Sequence, residues 1–76
     1  MKEKVIEILT ELRPEFDFTE DVDFIEEGML DSFDIVSLVD EIEYAFGVAI
    51  SGVDVISSNF CSVDAICKTI EKNKKQ

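Results

Sequence analysis

Seventy-six residues set the scale at one small domain, with room for three or four short helices and none for a deep pocket enclosed by two layers. Eighteen acids against seven bases leave a net charge of −11, which repels nucleic acid and anionic membrane and selects partners that present lysine and arginine. Hydrophobic residues make up 46%, enough to fold, while two cysteines and no histidine can neither fill a four-ligand zinc site nor supply the usual base to a serine nucleophile.

The first element is an amphipathic helix. Val5, Ile8, Leu9 and Leu12 recur at the i, i+3, i+4, i+7 spacing, with Lys2, Glu3, Lys4, Glu7 and Glu11 outside the stripe. Pro14 disfavours helical geometry at Arg13 and ends the helix there.

From Glu15 to Leu30 apolar residues fall at even spacing, at Phe16, Phe18, Val22 and Phe24, a period that belongs to strands. No second alternating run lies nearby to pair with it, and a lone ribbon is marginal. The stretch is therefore expected to be a long loop whose aromatics, with Ile25, plug the gap between helices, with one helical turn around Val22 to Glu26. Asp21 and Asp23 open it like a calcium-binding EF-hand, but the sixth position is Glu26 where glycine is needed and the twelfth is Ser32 where glutamate is needed. Loose divalent binding by Asp21, Asp23, Glu26 and Glu27 is the most this cluster offers, and no dedicated metal site is expected. Gly28 supplies the backbone shape that turns the loop into the second helix.

Asp31 is a good N-cap, and Asp34 follows where a carboxylate answers the free N–H groups of a first turn. Ser32 then lies exposed in that turn, where an attached phosphate would sit near the positive end of the helix dipole. At about 100° per residue, Ile35, Leu38, Val39, Ile42, Ala45 and Phe46 share the core-facing arc. The opposite arc carries Phe33, Ser37, Asp40 and Tyr44, with Asp34, Val36, Glu41 and Glu43 on its shoulders. Two aromatics on an acidic face suit contact with a partner better than contact with water alone. Gly47 stops the helix.

Past the apolar segment Val48 to Ile50, a brief turn of helix is expected from Ser51 or Gly52 through Val53, Val55 and Ile56. Ser62 caps a last helix, with Asp64 in its first turn and a stripe of Val63, Ile66, Cys67 and Ile70. The tail from Lys72 to Gln76 puts cations at that helix's negative end and then frays. Cys61 and Cys67 are read as small apolar fillers, reduced in a cytoplasmic protein, because the sequence shows no signal peptide and no long apolar run. Without histidine, and with every acid but Asp31 read as exposed, an enzyme is disfavoured.

The run Glu27-Gly28-Met29-Leu30-Asp31-Ser32-Phe33-Asp34, continued by Leu38-Val39, Ile42-Glu43 and Phe46, resembles the acyl carrier proteins. Asn59-Phe60-Cys61-Ser62-Val63-Asp64-Ala65-Ile66 resembles that family's entry to its last helix, so the likeness covers roughly residues 24–70. It implies an all-α fold, a small antiparallel four-helix bundle of three main helices and one short one, with residues 1–76 forming a single stand-alone carrier domain, expected to be monomeric. It implies a 4′-phosphopantetheine arm attached covalently at Ser32, with Asp31 as the flanking motif residue and a terminal thiol that holds acyl or aminoacyl cargo as a thioester.

Implied partners are a phosphopantetheinyl transferase and the enzymes that activate and transfer acyl or aminoacyl groups. Their basic patches would meet Asp31, Asp34, Asp40, Glu41 and Glu43, a pocket would accept Phe33 or Val36, and Ser37 and Tyr44 complete that face. The chain departs from many carriers in lacking proline after Ile50, which puts the extent of its third helix in question. Phe33 stands where most fatty-acid carriers have leucine; Asp-Ser-Phe is familiar among D-alanyl and other specialised carriers and points to an accessory pathway: aminoacyl transfer, polyketide or peptide assembly, or surface-polymer modification. The alternative is an unmodified acidic helical interaction module that uses the same face without an arm, and an acidic metal-buffering protein ranks behind it.

Overall fold

The computed structural model describes residues 1–74; Lys75 and Gln76, the end of the tail expected to fray, lie outside the described residues. Three helices carry the fold: α1 (Lys2–Leu12), α2 (Ser32–Phe46) and α3 (Val63–Lys74), with α1 packed against both others. No strand occurs among the described residues. As expected from Pro14, α1 stops at Arg13, whose N–H donates to the carbonyl of Leu9 at 2.9 Å. Gly47 closes α2 in the left-handed region at φ 64°, and Ser62 Oγ caps α3 by accepting from the N–H of Ala65 at 3.0 Å.

The core draws on all three stripes and on the connections between them. Val5, Ile8 and Leu9 of α1 join Ile35, Leu38 and Ile42 of α2 and Ile66 and Ile70 of α3, while Phe18, Phe24, Met29, Leu30, Ile50 and Phe60 come from outside the helices. Full burial of such a side chain contributes about 1.5–3 kcal/mol, so the long loop supplies a sizeable share of the driving force. Ala45 and Val39 form the two edges of the core arc, and the first is exposed and the second half-buried; Phe46, the last residue of α2, is half-buried as well.

The loop between α1 and α2 explains its strand-like spacing by packing rather than pairing. Phe24 sits edge-on to Phe18 with ring centroids 5.0 Å apart, and Phe16 sits edge-on to Phe18 at 6.4 Å. Phe24 also ties the loop down through its backbone. Its N–H donates to the carbonyl of Cys61 at 2.8 Å, and its own carbonyl accepts from Met29 at 2.9 Å and Leu30 at 3.1 Å. The single turn expected around Val22 to Glu26 lies slightly later, over residues 24–28, closed by Glu27 N–H on the carbonyl of Asp23 four residues back and by Gly28 N–H on that of Ile25, and it is not continued into a helix.

The short helix expected before α3 is instead two 3-10 turns, Gly52–Asp54 and Ser57–Asn59. A helix would need an apolar stripe facing inward, yet Val53 and Ile56, three residues apart, both point to solvent while Asp54 is buried. Polar bonds fix this segment. The carboxylate of Asp54 receives Lys72 Nζ at 2.8 Å and Asn73 Nδ2 at 3.2 Å, and the side-chain oxygen of Asn73 accepts from the N–H of Ser51 at 2.9 Å. Asn73 is therefore a buried structural residue rather than part of a frayed tail.

Candidate functional site

Where the loop enters α2 the chain dives and resurfaces within five residues. Gly28 takes φ 73°, a backbone shape that side-chain-bearing residues resist, and lets Met29 and Leu30 turn into the core. Those two anchors fix the depth of the next residues. Asp31 follows in extended geometry, and Ser32 opens the helix exposed to solvent.

The mouth is closed by a reciprocal capping box. Asp31 Oδ1 accepts from the N–H of Asp34 at 3.0 Å, and Asp34 Oδ2 accepts from the N–H of Asp31 at 3.1 Å. Two donors of the first turn are thus used, while the positive end of the helix dipole still faces outward beside Ser32. The hydroxyl stands where an attached phosphate would be favoured by that dipole.

Arg13 completes the mouth from the end of α1. Its guanidinium donates to Asp34 Oδ2 through Nε at 3.0 Å and pairs with the same oxygen through a terminal nitrogen at 2.9 Å; that nitrogen lies 3.7 Å from Asp31 Oδ2, and the other meets Glu15 at 3.4 Å. Burial pushes the Asp34 carboxyl up, but the Arg13 hydrogen bonds, the Asp31 amide and the nearby positive charge together hold it below the usual carboxylate range.

These contacts correct the partner face. Asp34 was expected on the outer shoulder of α2, yet it is buried and engaged on both sides, so it is not available to an incoming protein. Glu43 is likewise half-buried, its carboxylate accepting from the N–H of Ile50 at 2.8 Å. Asp31, expected to be the least exposed acid, is exposed; the buried acids are Asp34 and Asp54, because each has a cation from another part of the chain to offset its desolvation. Phe33, Val36, Ser37, Asp40, Glu41 and Tyr44 do lie on the surface, with Phe33 84% and Tyr44 90% exposed.

Beside Ser32 runs an open groove of about 450 Å³, lined by Ser32, Ile35, Val36, Val55, Ile56 and Ser57. Val53 and Ile56 extend the exposed apolar surface onto the 3-10 segment, a contribution the sequence pattern did not isolate. The sequence pattern does not assign Arg13 to the site either; its one signal there is that Arg13 is the single base between Lys4 and Lys68 in an acidic stretch.

The remaining candidates carry no comparable geometry. Among the described residues no group of three or more acids or thiols converges to hold a metal, and Asp23 Oδ1 is occupied by the N–H groups of Ile25 and Glu26. Burial pushes the Cys67 thiol up, away from the reactive thiolate, and Cys61 is a half-buried free thiol. Lys2, outside the apolar stripe of α1, pairs with Asp64 at 2.9 Å, both side chains remaining exposed. No helix among the described residues is long and apolar enough to cross a membrane.

The family model described as "Phosphopantetheine attachment site" matches residues 2–70, a span that includes all of α1, the capped mouth and most of α3. Comparison with curated proteins and with solved structures gave no match.

Proposed function

Because the chain belongs to the phosphopantetheine-attachment family, whose domains carry a covalent 4′-phosphopantetheine and are not themselves catalysts, we propose that Ser32 is its point of attachment. The observation that carries this is the exposed Ser32 hydroxyl at the open end of α2, beside an apolar groove and behind a closed capping box. The residues fit the group: the helix end favours the phosphate, and Val36, Val55 and Ile56 offer apolar surface along which an arm can lie. When bound, the arm supplies a thiol that holds acyl or aminoacyl cargo as a thioester.

In attachment, the Ser32 oxygen gives up its proton and forms a bond to the arm-bearing phosphorus of a coenzyme A-type diphosphate donor, as the bond from that phosphorus to the nucleotide phosphate breaks. The chain contributes presentation of the hydroxyl; the transferase contributes the base. Docking uses Phe33, Val36, Ser37, Asp40, Glu41 and Tyr44, with apolar groups entering a pocket and carboxylates meeting lysine and arginine. Such contacts give fast, weak, salt-sensitive association, suited to a domain that visits several enzymes. Asp-Ser-Phe directs the proposal toward a specialised cytoplasmic pathway, whether aminoacyl transfer, polyketide or peptide assembly, or surface-polymer modification.

Intact-protein mass spectrometry after incubation with a broad-specificity transferase and coenzyme A tests this. One arm is expected on the native chain and none on Ser32→Ala; no addition to the native chain would leave the unmodified interaction module, which the same exposed acidic face also supports. Asp40→Lys with Glu41→Lys is expected to slow loading about tenfold at low salt and much less at high salt, as screened charge pairs require.

A further inference from the structure

We propose that Arg13 is a positioning residue for arm attachment: its guanidinium bridges the end of α1 to the Asp31/Asp34 capping box and so fixes where Ser32 is presented. The inference rests on the carrier function proposed above and deepens it.

The capping box alone is a local device. It orders one turn of α2 but does not say how that turn sits on the rest of the domain. Arg13 lies twenty-one positions before Asp34 in sequence, and it makes the long-range contact. Its backbone is itself fixed, since it terminates α1 with its N–H on the carbonyl of Leu9 and is held out of the helix by Pro14. From that fixed base, Nε and a terminal nitrogen both reach Asp34 Oδ2, at 3.0 and 2.9 Å, and the same terminal nitrogen stands 3.7 Å from Asp31 Oδ2.

One planar cation therefore holds the Asp34 carboxylate directly, and Asp34 in turn holds Asp31 through its amide at 3.1 Å. Asp31 and Asp34 flank Ser32 on either side, so the hydroxyl inherits their placement. Asp34 is buried, and without Arg13 its charge would keep only the Asp31 amide and no cation; the first turn would have to open to rehydrate it. Opening costs the serine its defined direction, and attack at phosphorus is sensitive to direction. Arg13 is 36% exposed at its side chain and has its contacts turned toward the chain's own acids, so it acts through the mouth rather than on the incoming enzyme.

Steady-state loading by a transferase, with mass spectrometry as the readout, separates this role from general stabilisation. Arg13→Ala is expected to lower kcat for loading about tenfold with KM for the chain little changed, and the loss persists at high salt because no docking charge has been removed. Arg13→Lys, which keeps the charge but not the planar fork, is expected to fall between the two. Amide hydrogen exchange at Asp31 and Asp34 speeds up in parallel. Ile70→Val, a core loss on α3, lowers Tm but leaves loading unchanged.

A folded Arg13→Ala protein that loads at the native kcat, or an Ile70→Val protein that slows as much, overturns the proposal; should Arg13→Ala not fold, Arg13→Lys at the native kcat does the same. If the native chain itself accepts no arm, the carrier function fails first and takes the positioning role with it.

Discussion

Two buried aspartates hold two regions of this domain, and they do so with opposite consequences. At the mouth of α2, Asp34 is gripped by Arg13 and by the amide of Asp31; before α3, Asp54 is gripped by Lys72 and Asn73. Each acid is held below the usual carboxylate range, the first because Arg13 and the Asp31 amide outweigh its burial, the second chiefly through its hydrogen bond to Lys72. In the first region the ion pair reinforces a turn that is already helical, and the product is a regular helix end with an exposed hydroxyl. In the second the polar bonds stand in for an α-helix, and the product is a pair of 3-10 turns that leaves Val53 and Ile56 outside. The same device sharpens a site in one place and shapes a surface in the other.

Phe24 joins the two regions, because its amide reaches Cys61 beyond the 3-10 segment while its carbonyl holds Met29 and Leu30 at the approach to the mouth. Phe24→Ala keeps those backbone groups but removes the buried ring that packs on Phe18 and holds them in place; it is expected to have the largest effect, a loss of about 3–5 kcal/mol, which for a domain this small approaches its whole stability. Urea unfolding should show both regions lost together; a variant in which only one melts would mean they are independently stable.

Asn73→Ala separates them. It removes the acceptor for the Ser51 N–H and one donor to Asp54, with an expected cost of about 1–3 kcal/mol and a Tm lower by roughly 4–8 °C for each kcal/mol lost. Arm loading at Ser32 is expected to survive at temperatures well below Tm, since the mouth keeps Arg13 and its capping box.

The smallest effect is the acid response. Asp34 and Asp54 have folded values below the ordinary 3.8, so their stabilisation is fully present above that value and is lost as pH falls through it and below. Tm is expected to hold, or rise slightly as exposed acids lose their mutual repulsion, down to about pH 4.5, and to decline below it. Carboxylate titration by NMR resolves the two regions; either aspartate titrating above the ordinary value would contradict its pairing.

Much of the mouth was legible because its parts are neighbours in the chain. Asp31 and Asp34 are three residues apart, Gly28 and Gly47 declare the turns that need positive φ, and the stripes of α1, α2 and α3 each lie within four turns of helix. Helical angle failed at the margins, for Ala45, Asp34 and Glu43, because an angle says which side a residue is on and not whether another element reaches it.

Sequence by itself therefore determined three helices, the caps of α2 and the N-cap of α3, an aromatic-plugged loop and an exposed serine at a helix mouth, since each is set by interactions within a few residues. Tertiary structure alone decided that Arg13 meets Asp34, that Lys72 and Asn73 meet Asp54, and that the segment between α2 and α3 is two 3-10 turns. Those pairings span eighteen to twenty-one positions, and a buried charge chooses its partner only once the helices that carry it have come together.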